Sequence, residues 1–502
     1  MNRMDTTKTA RSALWSLLEN GGLSLISMGS LIIYTHVLSS FEFGLFSIVL
    51  ALVELLQVVV TMLFHDALVQ RADATDRHFD TAFSFSVALG VGLFVLCCLF
   101  SPLFATLVEN PGAALVLCSM ALCLPAASFS ATIVARQRRE LSFRALAIRS
   151  LVGRFAGAFA GILLVVLGAG VWGLVAQQVL IQLVGSLLLW HTCNERPKLR
   201  FSVRELKELI SFGAYAVGTL FLNFAVKRLF TVLTGLFLGV TAAGYLNLSF
   251  RALDAFWAIS ATAVTQVALP MLSGLQSDPS RLKRTFQIAT GFVCTALYPM
   301  FIGLAVTAPE MVSVLFGSKW LPSAPYITAL GLLVIVQAPR LMVTPMLTAL
   351  GRPRDLMIGK AVELAFVVAA IALSQVPSLG WAVGIWIARE LVSLPIMLRM
   401  AKSAMRLGIV DQFRGVAVPL VSSVLMALAV FLLRRQLPTA LIPVLRLGVL
   451  AAAGATVFAT VTSLLDRELV RRVVRIALSA AGRRPERSGF SLAASPQARP
   501  AK

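Results

Sequence analysis

The sequence predicts an all-α polytopic membrane protein with about fourteen transmembrane helices. The 502 residues are 58% hydrophobic and only 13% charged, with a mean hydropathy of +0.86. This composition excludes a soluble globular protein with a polar surface. The apolar runs are long and do not alternate with polar residues, so helices are favoured over the strands of a membrane barrel. Lys and Arg, moreover, concentrate in every second loop.

Each predicted span is an apolar run close to the length of about 20 residues that a helix needs to cross a bilayer. The fifth and sixth spans are separated only by a tight turn, Gly168 to Gly170. The first run is too long for a removable signal peptide and lacks a small-residue cleavage site, so we interpret it as a span. The spans are 13–37, 43–64, 81–107, 113–134, 150–168, 170–192, 212–239, 246–272, 285–308, 322–346, 355–374, 379–399, 413–433 and 441–464.

The distribution of positive charge predicts the orientation of these spans. Most of the 44 Lys and Arg residues fall in loops on the side of the two termini, whereas the opposite side holds only Lys319, Arg434 and Arg435. Positive charge is enriched in cytoplasmic loops, so both termini are predicted to be cytoplasmic. The loops on the other side are short, and the longest, 309–321, is too small for a catalytic domain.

A weak internal repeat suggests two bundles of six helices. Gly44 precedes Ala67 by 23 positions, and Gly244 precedes Ala268 by 24. Repeated bundles around a site at the membrane midplane are the usual plan of transporters. The predicted segments are an N-terminal six-helix lobe (1–192), a cytoplasmic linker (193–211) with a short interfacial helix from Phe201 to Ile210, a C-terminal six-helix lobe (212–400), two additional helices (401–464) and a basic, partly disordered cytoplasmic tail (465–502).

Several chemistries are not supported. The net charge of +21 is spread through short loops and the tail, which argues against a nucleic-acid partner. The six cysteines form no CxxC pair, so neither a disulfide framework nor a zinc site is indicated. The four histidines have no metal-ligand spacing. We therefore predict no metal, no cofactor and no catalytic residue.

Lys227 and Arg228 are the most informative charges in the chain, because they lie side by side near the middle of the seventh span. A cation at the bilayer centre costs roughly 2.5–3.5 kcal/mol or more, so two adjacent ones should face a water-filled cavity, a counter-ion or an anionic cargo. Asn223 is one helical turn before Lys227 on the same face, and Glu54 of the second span is a candidate counter-ion.

Other charges inside the spans extend this predicted cavity. Cations outnumber acids there, which favours an anionic headgroup as cargo over a cationic drug. The candidate cargo-binding residues are Lys227, Arg228, Asn223, Arg389, Arg251, Arg154 and Lys360, and the candidate coupling or counter-ion residues are Glu19, Glu54, Asp254 and Glu390.

Structural roles for the same residues remain open at this point. Arg154, Arg340 and Lys360 lie near the cytoplasmic ends of their spans and could extend to the headgroups. Two pairs at i,i+3 spacing, Arg251 with Asp254 and Lys360 with Glu363, could neutralise each other. Arg389 and Glu390 are adjacent and should point apart, so each needs a partner on another helix.

Short motifs in a consistent order resemble those of the bacterial oligosaccharide and polysaccharide flippases, the lipopolysaccharide and exopolysaccharide exporters of the superfamily that includes the multidrug and lipid II exporters. The resemblance covers about Ser16 to Met400. The motifs are Val37–Gly44, Ala67–Arg71, Leu141–Ala147, Gly170–Val175, Gly244–Tyr245 and Phe316–Trp320.

The resemblance implies two lobes in a V shape that work by alternating access. It also implies transport of a polyprenyl-pyrophosphate-linked oligosaccharide repeat unit across the inner membrane, for exopolysaccharide, capsule or O-antigen biosynthesis, alongside a polysaccharide polymerase and export complex. Lys227 falls where relatives carry a basic residue, but Phe230 stands where they commonly have an acid. The alternatives are a multidrug-type cation-coupled antiporter, which would use acids such as Glu19 and Glu54, a membrane-embedded glycan polymerase or ligase, and a structural scaffold.

Overall fold

The computed structural model describes residues 21–467 apart from 72, 141, 194–195, 274–278, 351, 375, 406, 414 and 439–440. This part of the chain is helical and contains no strand. The helices are α1 Gly21–Val37, α2 Ser40–Met62, α3 His65–Gln70, α4 Asp76–Leu107, α5 Gly112–Ala121, α6 Cys123–Arg139, α7 Phe143–Val166, α8 Val171–Thr192, α9 Val203–Leu238, α10 Val240–Ser273, α11 Pro279–Val306, α12 Ala308–Leu315, a 3₁₀ turn Ser318–Ser323, α13 Ala324–Gly331, α14 Val334–Arg340, α15 Val343–Ala349, α16 Pro353–Ser374, α17 Leu379–Met405, α18 Ile409–Gln412, α19 Ala417–Gln436 and α20 Pro443–Leu465.

Eleven helical segments of the described chain are long and apolar enough to span a membrane, and a bent pair makes twelve. The all-helical membrane fold is thus confirmed, but the count of fourteen is not. The two further predicted spans, 13–37 and 246–272, overlap α1 and α10 in the described part of the chain. Glu19 and the predicted tail from residue 468 onward also lie outside the described residues.

The predicted span 322–346 is broken. The chain there forms α13, α14 and α15, with a bend of 43° between Gly331 and Val334. Around this break the N–H groups of Leu333 and Ile335 donate to carbonyls only three residues back. Further along, where α14 ends, Pro345 has no N–H to donate to the carbonyl of Leu341. Helical hydrogen bonding is therefore interrupted where hydropathy alone suggested continuity.

The predicted interfacial helix of the linker is the start of α9 and continues without a break into the seventh span. Leu209 is completely buried against Phe64, Leu68 and Phe79 of α3 and α4 and their surroundings. Glu208 accepts hydrogen bonds from Arg71 at 2.7 Å. We call this region, where the linker packs on α3 and α4, the linker end.

Charge at the linker end is arranged around Arg71. The Arg71 guanidinium pairs with Asp73 at 2.7 Å and with Glu208 at 2.7 Å. Hydrogen bonding to Arg71 lowers the pKa of Asp73 to about 2 and, together with His78, holds the pKa of Glu208 below its ordinary value. Both carboxylates are exposed at the surface, so these pairs orient the linker more than they stabilise the fold.

At the opposite end of the bundle, which we call the sealed end, the two halves of the chain meet closely. Gly44 of α2 and Gly244 of α10 cross there: a Cβ on Gly44 would collide with the carbonyl of Val240, and a Cβ on Gly244 with the carbonyl of Ser40. The two glycines that marked the internal repeat therefore share one contact. Their lack of a side chain permits this close approach of the backbones.

Glycines also set the packing of α7 on α8. Gly157 and Gly161 leave no room for a Cβ, because the carbonyls of Gln177 and Gly173 and the hydroxyl of Tyr34 lie against them. This glycine row is therefore a close-packing face of α7. At the turn between the helices, Gly168 and Gly170 adopt φ of +85° and +59°, which favour glycine.

Candidate functional site

The structure brings Lys227 and Arg228 together with two acids from neighbouring helices. Lys227 Nζ lies 2.5 Å from Asp254 Oδ2 of α10, and Arg228 Nη2 lies 2.5 Å from Glu54 Oε2 of α2. The adjacent cations thus point to different helices and each finds a carboxylate. Glu54 is a counter-ion of this pair, as the sequence suggested.

Two further arginines belong to the same group. Glu54 acts electrostatically on Arg154 of α7 and on Arg251 of α10, and Arg228 and Arg154 act on Arg251. Neither Arg154 nor Arg251 forms an ion pair within the described part of the chain. We call Arg154, Lys227, Arg228 and Arg251 together with the acids Glu54 and Asp254 the central cluster. Its four cations face only two acids, so it carries a formal charge of +2.

Several side chains of the central cluster are partly exposed at the protein surface. The side chain of Asp254 is 62% exposed, and those of Lys227 and Glu54 are each 27% exposed. A carboxylate at this depth cannot face lipid without a cost of several kcal/mol. The exposed side of the cluster therefore faces a water-filled space between the helices.

One predicted pairing in this region is wrong. Arg251 and Asp254 have the i,i+3 spacing of a helical ion pair, but Asp254 binds Lys227 instead. Arg251 turns toward the sealed end, where its guanidinium carbon lies 5.7 Å from the ring centre of Phe43 and 5.8 Å from that of Phe46. Tertiary contacts between α9 and α10 override the local spacing.

An aromatic wall of Phe230, Phe250 and Trp386 bounds the central cluster on one side. The ring centres of Phe230 and Phe250 lie 4.7 Å and 5.1 Å from that of Trp386. Lys227 Nζ lies 4.7 Å from the ring centre of Phe250, and the Arg389 guanidinium lies 3.9 Å from that of Trp386. Phe230 is completely buried in this wall.

Arg389, Lys360 and Glu390 lie beyond the wall in a second group, the buried cluster, with Arg340 and Glu363. Glu363 accepts from Arg389 at 3.1 Å and from Lys360 at 2.9 Å, and Glu390 accepts from Arg340 at 2.6 Å. Ser393 and Gln337 complete the network: the Ser393 hydroxyl donates to Glu363 at 2.7 Å and the Gln337 amide to Glu390 at 2.9 Å.

The buried cluster settles several sequence expectations. Lys360 pairs with Glu363, as predicted from their spacing. Arg389 and Glu390 find partners on other helices but also contact each other, so the prediction that they point apart is wrong. Arg340 does not extend to the headgroups, since its side chain is only 9% exposed.

The predicted cavity set is therefore divided between two sites. Lys227, Arg228, Arg251 and Arg154 lie together, and Asn223 is exposed one turn before Lys227 on α9. Arg389 and Lys360 belong to the other site. The sequence revealed Glu363 only as a local partner of Lys360. That it joins three helices depends on the packing of α14, α16 and α17, which no local spacing encodes.

Comparison with known proteins agrees with this architecture. A family model described as polysaccharide biosynthesis protein matches residues 33–325, more than half of the chain. The chain is 26% identical over 478 residues to the succinoglycan biosynthesis transport protein ExoT of Rhizobium meliloti, covering 93% of this chain and 95% of that protein. It is 25% identical over 344 residues to the lipopolysaccharide biosynthesis protein WzxC of Escherichia coli, covering 66% and 68%.

Solved structures show the same fold at low identity. The lipid II flippase MurJ in an inward closed conformation superposes with a TM-score of 0.73 at 12% identity, covering 92% of this chain and 100% of that chain. An inward-facing multidrug resistance transporter of the MATE family gives a TM-score of 0.54 at 16% identity, covering 79% and 95%. By its sequence and its fold together, this multi-pass membrane chain belongs to the polysaccharide biosynthesis protein family.

Proposed function

We propose that the protein is a flippase that moves polyprenyl-pyrophosphate-linked oligosaccharide repeat units across the bacterial inner membrane by alternating access. The observation that carries the proposal is the excess positive charge of the central cluster in a water-accessible, membrane-buried position. Its products would serve exopolysaccharide, capsule or O-antigen biosynthesis, as the names of ExoT and WzxC indicate for those relatives.

The chemistry of the cluster suits a pyrophosphate. Arg154 and Arg251 form no ion pair within the described residues, so the formal +2 charge can be neutralised by an anionic ligand. Guanidinium groups bind phosphate oxygens in bidentate fashion, and the Lys227 ammonium supplies a point charge. Each hydrogen bond between a charged side chain and an ionised phosphate contributes roughly 1.5–3 kcal/mol to the free energy of binding.

The sealed end is periplasmic in this proposal, and the linker end and both termini are cytoplasmic. The contact of Gly44 with Gly244 then closes the outer side while the cargo headgroup enters from the cytoplasmic leaflet. Residues 1–192 and 212–400 act as the two lobes that rock around the cluster, 401–464 as an added helix pair, and a polysaccharide polymerase and export complex would receive the product.

The rival functions fit less well. A cation-coupled multidrug antiporter needs acids free to bind a cationic drug, but Glu54 is engaged by Arg228 and Asp254 by Lys227. A glycan polymerase or ligase needs catalytic groups at the periplasmic surface. The segment 309–321 instead folds into α12 and the start of a 3₁₀ turn that packs against α1.

The decisive test replaces the two adjacent cations of α9, Lys227→Gln and Arg228→Gln, in cells that depend on this protein for polymer export. Loss of two charged contacts of about 1.5–3 kcal/mol each should lower export by about 100-fold or more. The matched control exchanges the charges without removing them, Lys227→Arg with Arg228→Lys, and should retain export. Normal polymer output from the Gln variant, at equal amounts of protein in the membrane, would refute the proposed function.

A direct measurement uses purified protein and farnesyl pyrophosphate, a short polyprenyl pyrophosphate, with farnesol as the uncharged control. Wild type should bind the pyrophosphate and not the alcohol, and the Gln variant should bind neither. Equal binding of both compounds by wild type would show that the cluster does not recognise the headgroup.

A further inference from the structure

The sealed end is held by side chains of the second half of the chain that bind the C-terminus of α1. Lys319 Nζ donates to the carbonyls of His36 at 2.9 Å and Leu38 at 2.7 Å, and Trp320 Nε1 donates to the carbonyl of Thr35 at 2.8 Å. The last carbonyls of a helix have no partner within it and carry partial negative charge. Lys319 and Trp320 therefore cap α1 from the other half, and opening must break this cap.

Phe43 of α2 connects the cap to the central cluster. Its ring is completely buried and packs edge-on against Trp320, with ring centres 5.4 Å apart. On its other side the Arg251 guanidinium lies 5.7 Å from the same ring, a distance at which cation and ring attract each other. An uninterrupted series of contacts thus runs from Arg251 through Phe43 and Trp320 to the end of α1.

Arg251 is placed between two alternative partners. Toward the sealed end it contacts the rings of Phe43 and Phe46, and toward the cytoplasm it lies within electrostatic reach of Glu54 and Asp254. It forms no ion pair among the residues that the structure describes. A cation–π contact is worth about 0.5–2 kcal/mol, whereas a hydrogen bond to a charged group contributes about 1.5–3 kcal/mol. An anion in the central cluster would therefore draw Arg251 away from the rings.

We propose that Arg251 is the positioning residue that transmits occupancy of the central cluster by an anionic headgroup to the sealed end. When the headgroup binds, the Arg251 guanidinium moves from Phe43 and Phe46 to the phosphate oxygens. Phe43 loses its cation, its contact with Trp320 weakens, and the cap on α1 is released. This inference rests on the proposed function, because it requires an anionic cargo.

The test measures opening of the sealed end by the distance between two spin labels. Val37 at the end of α1 and Leu321 in the 3₁₀ turn are exposed on opposite sides of the cap, so each is replaced by a labelled cysteine. Cys98 and Cys118, the cysteines of the chain that are not buried, are replaced by serine. The full-length protein is reconstituted in lipid nanodiscs. The distance distribution between the two labels is measured by pulsed dipolar spectroscopy without ligand, with farnesyl pyrophosphate and with farnesol.

Wild type should respond to farnesyl pyrophosphate, but not to farnesol, with a rise of about threefold or more in the population of longer distances. Arg251→Gln should still bind farnesyl pyrophosphate through Lys227 and Arg228, but about 10- to 100-fold more weakly than wild type. At ligand concentrations that saturate each variant, it should show equal distance distributions with and without the ligand. Phe43→Leu keeps the cavity charges and removes the ring, so it should lose the response in the same way. Arg435→Gln removes another arginine stacked on a phenylalanine, Phe431, far from the cavity, and should respond like wild type.

The outcomes separate this inference from the proposed function. If wild type fails to bind farnesyl pyrophosphate, both are overturned. If wild type binds it but the sealed end does not open, or if Arg251→Gln and Phe43→Leu open as wild type does, the role of Arg251 is refuted while the proposed function stands. Should Arg251→Gln fail to fold, Phe43→Leu alone decides the question.

Discussion

The central cluster and the buried cluster are built from the same residue types but differ in charge balance and access. The central cluster sets four cations against two acids and exposes Asp254 and Lys227 to water. The buried cluster sets three cations against two acids, and its two carboxylates are each less than a tenth exposed. Both use arginine, and each has a cation against a ring of the same aromatic wall.

The difference shows how membrane-embedded charge can serve structure or function. In the buried cluster every oxygen of Glu363 and Glu390 accepts at least one hydrogen bond, so both acids are fully engaged by neighbouring side chains. Only the Nε atoms of Arg340 and Arg389 lack a partner among the described residues, and both are buried. In the central cluster the acids neutralise only half of the cations. Unbalanced charge that water can reach is the feature that favours a cargo site.

The largest expected effect comes from breaking the buried cluster. Glu363→Gln removes the buried partner of Lys360 and Arg389, and this should cost about 3–5 kcal/mol of stability. The measurement is thermal unfolding of the purified protein, with the yield of folded protein as a second readout. Glu54→Gln, which removes an acid from the accessible cluster, is the matched control and should cost about 1 kcal/mol or less. Equal losses in the two variants would abolish the distinction between the clusters.

A second prediction sharpens the comparison through ligand affinity. Glu54→Gln raises the formal charge of the central cluster, so farnesyl pyrophosphate should bind about fivefold more tightly, corresponding to about 1 kcal/mol in a water-filled site. The dissociation constant is measured by titration calorimetry, with farnesol as the uncharged control. Weaker binding by Glu54→Gln would mean that Glu54 holds Arg228 in its binding geometry and is not simply a neutralising charge.

A third prediction uses salt. Raising the salt concentration from about 0.05 M to 0.5 M shortens the screening length, so binding of farnesyl pyrophosphate to the central cluster should weaken about threefold or more. The difference in unfolding midpoint between wild type and Glu363→Gln should stay constant, because ions do not reach the buried cluster. If both quantities change together, the two clusters are equally accessible.

The smallest effect concerns the exposed charges of the linker end. The pKa of Glu208 lies below its ordinary value of 4.5, mainly because Arg71 donates to its carboxylate. A depressed pKa contributes stability above 4.5, and that contribution is lost as the pH falls through the lowered value. The difference in unfolding midpoint between wild type and Glu208→Gln should therefore be small at pH 7 and vanish on acidification. A difference that grows toward low pH would contradict this assignment.

Hydropathy located the helices well, and it failed where backbone chemistry intervened. Every predicted span coincides with helical structure in the part of the chain that is described, because long apolar runs in lipid must satisfy their backbone groups internally. The run 322–346 is bent between Gly331 and Val334, where backbone hydrogen bonds reach only three residues back. The helix around Phe201 to Ile210 merges with α9, since no residue there stops it.

For the site, the order of residues along the chain was sufficient to identify which charges are buried in the membrane, but not which of them meet. Lys227 and Arg228 are conspicuous because they interrupt an apolar run long enough to cross a bilayer, where a cation is costly. Their partners Asp254 and Glu54 are 27 and 174 positions away along the chain. The packing of α2, α9 and α10 decides these pairings and leaves Arg251 apart from Asp254. The packing of α17 likewise places Arg389 outside the central cluster. Long side chains bind the nearest opposite charge in space, and only the tertiary structure determines which charge that is.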